Sequence, residues 1–218
     1  LRETVVKVEG RGTAGPSTTF WLQITNRNGL PSTPVREMHA MGLLSRDIKS
    51  LGDLLVQGLG EALYAERRCA RMMPMLIAKA SDIQLKSELN SVLVANAACI
   101  GRLEAVFRLL DRMPKAAECP AIDGLFIGAE EINGEIDDPH VLDSAIAAAL
   151  LDVGTYKTAR YATLIGWLRQ LGRHDAAELI QPNQAGCRRF VEALHMLTER
   201  RLNPRAGGRL EPAPRLAS

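Results

Sequence analysis

Aromatic residues make up only 4% of the 218-residue chain. That scarcity, with little alternation of β-branched side chains, argues against sheets and for helices. No apolar run reaches the roughly 18–20 residues that a membrane span needs, and the first residues show no basic segment followed by an apolar stretch of the secretory kind. Neither sign of charge dominates. Lys and Arg number 27 against 25 Asp and Glu, a formal charge of +2, which is too little to argue for nucleic acid. The four cysteines, Cys69, Cys99, Cys119 and Cys187, are widely spaced and include no CxxC pair. Free thiols in a reducing cytoplasm are therefore expected, not a disulfide framework. Nucleophile elbow, phosphate loop and dinucleotide-binding glycine pattern are all missing, as is any repeat strong enough for a solenoid.

What is present is helical periodicity. Leu55, Leu59, Ala62, Glu66, Cys69, Met73 and Leu76 follow steps of three and four. So do Leu85, Leu89, Val92, Asn96, Cys99, Leu103, Val106 and Leu110. Such spacing keeps one stripe facing a partner helix. It predicts helices over 46–79, capped by Ser45, and over 83–113, capped by Asp82. A shorter helix is expected over 121–136. Asp137-Asp138-Pro139 then breaks the chain, with Pro139 suited to the first turn of the next helix. A third long helix follows to Leu171, its seam formed by Ile146, Leu150, Val153, Lys157, Arg160, Leu164, Trp167 and Leu171. Gly172 stops it. The fourth runs from about His174 to Leu202, with a kink or restart expected at Pro182. Residues 1–44 read as a poorly structured arm or extension with two short strand-like stretches, 45–202 as the helical bundle, and 203–218 as a disordered tail. Two helix pairs joined by a long crossover that carries a short fifth helix is the ferritin-like arrangement.

Particular residues then show a family likeness. Leu63-Tyr64-Ala65-Glu66, Arg102-Leu103-Glu104 with Val106-Phe107, Cys119-x-Ala121-x-x-Gly124-Leu125, Tyr156 through Leu164, and Leu171-Gly172 with Ala176-Ala177-Glu178-Leu179 resemble, in order and spacing, the YciE/YciF-like bacterial stress proteins, which are ferritin-like. The resemblance covers about residues 45–200. It implies an all-α, four-helix bundle with a di-iron-type site lined by carboxylates and histidines between the helix pairs, since hard iron or manganese favours oxygen and imidazole ligands. Glu66 is the one ligand retained from that pattern. The other ligand places hold Val92, Ala95 and Cys99 on the second helix, Gly154, Thr155 and Lys157 on the third, and Gly186, Cys187 and Val191 on the fourth.

An acid on a bundle seam is costly unless it is paired, hydrogen-bonded or bound to metal. Lys157 either pairs with Glu66 in place of a metal, with Arg160 nearby, or reaches out to the surface. Cys99 and Cys187 form either a thiolate site, for zinc or redox sensing, or small apolar filler. The acidic run of Glu130, Glu131, Glu135, Asp137 and Asp138 reads as a solvated face, and His140, His174 and His195 as helix-end or surface residues. Two functions follow. In the first, the metal centre is lost and no cofactor is expected. The protein is then a non-enzymatic structural or interaction protein, a cytoplasmic homodimer without membrane or nucleic-acid partners. In the second, it is an iron- or manganese-binding di-metal carboxylate protein, an oxidase or a handler of peroxide or iron, with a reduced or relocated site. The ligand losses favour the first.

Overall fold

The computed structural model describes residues 48–208; the arm expected over 1–44, its strand-like stretches and the last ten residues lie outside these. Four long helices carry the fold: α1 (Leu51–Lys79), α2 (Ile83–Leu109), α4 (Pro139–Gln170) and α5 (His174–Leu197). A short α3 (Pro120–Gly134) sits in the crossover between α2 and α4. A π-helical turn, Thr198–Leu202, and a last helical turn, α6 (Asn203–Ala206), follow α5. Among the described residues there is no strand. The chain is an all-α bundle in which α1 packs on α2 and α4, and α5 packs on α2 and α4, closing a four-membered ring. Helix α3 lies against α4.

The helix ends follow from local chemistry. Ser50, not Ser45, caps α1: its hydroxyl accepts the Asp53 N–H at 3.1 Å while the Asp53 carboxylate accepts the Ser50 hydroxyl at 2.7 Å, a reciprocal box. Ser45 lies outside the described residues. Asp82 caps α2 through the N–H groups of Gln84 and Leu85, and Asp138 caps α4 with Pro139 in its first turn. Helix α2 stops at Leu109, four residues before the expected end. Asp111 takes a left-handed φ of 53°, and the Arg112 N–H turns back to the Phe107 carbonyl. This is a Schellman closure built on aspartate where glycine is usual. Gly172, at φ 72°, closes α4 in the same manner, with the Arg173 N–H on the Leu168 carbonyl.

Neither internal proline restarts its helix. Pro74 lies within α1 and Pro182 within α5, each removing one helical hydrogen bond. The expected tail also begins too early at 203: residues 203–206 are helical, and the Arg205 guanidinium reaches Asp82 at 2.9 Å.

Apolar residues fill the bundle in two clusters. One holds Leu59, Leu63, Leu103, Val106, Phe107, Leu164, Leu168 and Ile180; the other holds Met73, Leu76, Leu85, Leu89, Ile146, Leu150 and Leu194. On every long helix a polar residue lies between the two stretches: Glu66, Asn96, Lys157 and Asn183, all buried. A third cluster, with Cys69, Met72, Cys119, Ile122, Phe126 and Val153, seats α3. The third-helix seam departs from the expected one near its end. Tyr161, Ile165 and Leu168 are buried beside Leu164, while Trp167 is only half-buried and Leu171 is exposed. A straight 3.6-residue helix drifts from a strict seven-residue repeat over that length.

Candidate functional site

The buried polar layer is built around Glu66, whose side chain is 1% exposed. Its Oε2 accepts Lys157 Nζ at 2.8 Å and Asn96 Nδ2 at 2.8 Å, and its Oε1 accepts the Tyr161 hydroxyl at 2.7 Å. Asn96 also donates to the Glu66 backbone carbonyl at 3.1 Å. The network runs on into α5. Asn183, fully buried, donates to the Tyr161 oxygen and to the Cys99 carbonyl, both at 3.1 Å, and accepts Arg102 Nη1 at 3.0 Å. Six side chains from four helices thus answer one another. Such a network of buried polar groups favours one packing of the helices over others.

Lys157 therefore pairs with Glu66 and does not reach the surface. Burial works against its ammonium, but the negative neighbours, Cys69, Glu66 and Cys187, outweigh it and raise the amine well above its ordinary value. At neutral pH the carboxylate is the charge that acts, because the thiols stay protonated: burial pushes Cys69 up to about 11 and Cys187 up to about 12. Burial also raises the Cys99 thiol, and burial with the Glu66 charge raises the Tyr161 hydroxyl well above its usual range, so Tyr161 remains a donor. All four cysteines are free. Arg160, expected beside this pair, turns elsewhere. It binds Glu61 at 3.1 Å and the Tyr156 oxygen at 2.9 Å, beside the Cys119–Tyr156 contact of 2.9 Å.

Most of the residues at the ligand places that the resemblance implies converge in space, while Thr155 is exposed outside their cavity. Val92, Ala95, Cys99, Gly154, Lys157 and Cys187 line one cavity with Glu66, of about 310 Å³. Val191 stands against the same wall from behind: a Cβ on Gly154 would lie 2.7 Å from its Cγ2. Glycine here lets α4 and α5 approach closely.

A di-metal centre of the kind the resemblance implies needs several carboxylates and histidines converging on two cations. The donor set present does not fit it. Both Glu66 oxygens are taken by protein donors, and an ammonium stands where a cation would have to bind. Val92, Ala95, Gly154 and Val191 offer no ligand atom. Among the described residues no three His, Cys, Asp or Glu side chains are grouped to hold a metal ion. His140, His174 and His195 are exposed.

Sequence reasoning missed three buried members of the polar architecture. Tyr161 and Asn183 belong to the central layer. Asp143 belongs to the end of the bundle, where it accepts the N–H groups of Ser81 and Asp82 and the Ser81 hydroxyl. Beside it Asp82 accepts Arg201 at 2.6 Å and Arg205. The available signal was the rarity of a polar residue facing inward. Asn96 and Lys157 showed it on the seam, and Asn183 continues the steps of three and four between Ile180 and Cys187, whereas Tyr161 falls one step beside the assumed stripe. The crossover helix is held by Tyr64 to Asp123 at 2.7 Å and by Arg68, which bridges Asp123 and Glu130 over the Phe126 ring.

Comparison with known proteins agrees with this architecture. The model of the family described as Domain of unknown function (DUF892) matches residues 50–207. Protein YciF of Escherichia coli (strain K12) is 27% identical over 136 residues, spanning 62% of this chain and 82% of YciF. The crystal structure of that stress protein superposes with a TM-score of 0.68 at 25% identity, covering 72% of this chain and 99% of YciF. YcfI of Rhodopseudomonas palustris, described as a candidate structural protein, superposes with a TM-score of 0.68 at 39% identity, covering 70% of this chain and 97% of YcfI.

Proposed function

This chain belongs to the DUF892 family, and we propose that it is a ferritin-like scaffold of the YciF stress-protein type whose metal centre has been replaced by an ion pair. It acts as a structural or interaction protein, not as an enzyme. The observation that carries this is the 2.8 Å contact between Lys157 Nζ and Glu66 Oε2. One ammonium supplies the positive charge that a bound cation would have supplied, and Asn96 and Tyr161 answer the remaining lone pairs. The description of YcfI as a candidate structural protein is in keeping with the same reading.

In this proposal the protein resides in the cytoplasm, which suits four free thiols, and works as a homodimer. The exposed apolar residues Ile83 and Val94 on α2, 74% and 81% exposed, suit a helix face covered by a second copy. None of the described helices is long and apolar enough to cross a membrane.

The test is metal content, measured by elemental mass spectrometry on protein made in iron- and manganese-supplemented medium, with Glu66→Ala alongside. The expected result is no stoichiometric metal in either. About two metals per chain, lost in Glu66→Ala, would overturn the scaffold reading in favour of an oxidase or an iron handler.

A further inference from the structure

The cavity beside Glu66 is more than a gap left by shortened side chains. It opens to solvent between α2 and α5, where Ser91, Ala95 and Arg189 are exposed at its rim. Its walls are apolar: Met73, Val92, Leu150, Val153 and Phe190. Its volume of about 310 Å³ is at the lower end of small-molecule sites, which run from roughly 300 to 1,000 Å³.

Two features select an occupant. The first is charge. Glu66 and Glu88 are matched by Lys157 and Arg189 in the lining, so a charged guest would enter without a partner charge, and an anion would face the Glu66 carboxylate. The second is a spare donor. An ammonium carries three N–H donors. Protein groups engage Lys157 Nζ through one oxygen at 2.8 Å and one distant sulfur, Cys69 Sγ at 4.0 Å. Donor capacity thus remains on a buried group that lines the cavity.

We infer that this cavity is a binding site for a small, uncharged, largely apolar molecule that presents one hydrogen-bond acceptor, such as a ketone oxygen, to Lys157. The inference rests on the Glu66–Lys157 pair of the proposed scaffold. Binding in this proposal is non-covalent, through a hydrogen bond from the Lys157 side chain and apolar contact with the walls.

Three probes of matched shape test it on the full chain by isothermal titration: 2-acetylnaphthalene, neutral with an acceptor; 2-ethylnaphthalene, neutral without one; and 2-naphthoate, an anion. The ketone should bind saturably at one site, about tenfold tighter than either of the others, the effect of one hydrogen bond of about 1.4 kcal/mol. Gly186→Leu should abolish that binding. Gly186 lines the cavity, and a Cβ there meets nothing within 4 Å, so the variant fills space without straining the helix. Equal binding to the parent and to a folded Gly186→Leu would mean adsorption elsewhere and overturn the site. Tighter binding of naphthoate would overturn the neutral class, and no saturable binding of any probe would overturn the inference altogether. These failures are separable from failure of the scaffold reading, because a metal-free protein that binds no ketone loses only the cavity assignment, whereas two metals per chain remove the pair itself.

Discussion

A carboxylate sealed in an apolar bundle costs several kcal/mol unless its lone pairs are answered, and Glu66 is answered by three donors. The pair with Lys157 belongs at this scale, and its pH dependence follows from the direction of the lysine's shift. A raised amine contributes stability that is complete below its ordinary value of 10.5 and is lost only as pH rises through the raised folded-state value. The pair is therefore at full strength across neutral pH. Lys157→Ala strands the carboxylate and should cost about 3–5 kcal/mol. In urea denaturation the double variant Glu66→Ala/Lys157→Ala should fall short of the summed single effects by about 0.5–3 kcal/mol. A Lys157→Ala protein as stable as the parent would show that the pair contributes nothing.

At the level of helices, glycines of the same chain differ in sign. Gly154 admits Val191 so closely that a Cβ would sit 2.7 Å from its Cγ2, where α4 packs on α5. Gly154→Ala should therefore cost about 1–3 kcal/mol through overpacking. Gly101 sits exposed in α2 with nothing within 4 Å of an added Cβ. Gly101→Ala should stabilise by about 0.5–1 kcal/mol, since alanine loses less conformational freedom in a helix. Paired thermal melts check both signs.

The Asp82 junction is the other element-scale device, tying the α1–α2 turn to the π-helical turn and α6. Burial raises its carboxyl, but the Arg201 hydrogen bond and the Leu85 and Gln84 N–H groups outweigh that and hold it below its ordinary 3.8. A lowered carboxyl contributes stability that is present above 3.8 and lost as pH falls through the folded-state value. Asp82→Asn should therefore flatten the loss of stability below about pH 4 seen in denaturation of the parent. An unchanged acid limb would exclude Asp82 from it.

For the whole molecule, the proposed dimer is the accessible prediction. Sedimentation equilibrium should give twice the 23.8 kDa of one chain, and Val94→Glu should shift the population to the monomer, since a charge in an apolar contact is costly. A parent that sediments as a monomer at all concentrations would reject the homodimer.

Much of this molecule is legible in its sequence because helix periodicity and helix punctuation are local. The 3-and-4 spacing, the cap at Asp82, the break before Pro139, the stop at Gly172 and the long crossover are each written within a few residues of where they act. Glu66 announced itself because an acid on an apolar stripe needs a partner, and Lys157 was the nearest candidate. The end of α2 was not legible, because its left-handed residue is an aspartate and not a glycine. Ser50 displaced Ser45 as the cap because the Asp53 carboxylate reciprocates its bond. Tyr161 escaped because whether a polar side chain points inward depends on the rotation of each helix against its neighbours, which drifts along the helix; Asn183 and Asp143 lie in step with Ile180 and Cys187 and with Ile146, so their spacing was available in the sequence. Which donors meet Glu66, that Arg160 serves Glu61 instead, and that Val92, Ala95, Cys99, Gly154 and Cys187 line one cavity with Glu66 and Lys157 are facts of three-dimensional packing. Each joins residues that lie dozens of positions apart in the chain, and no local pattern sets their distance.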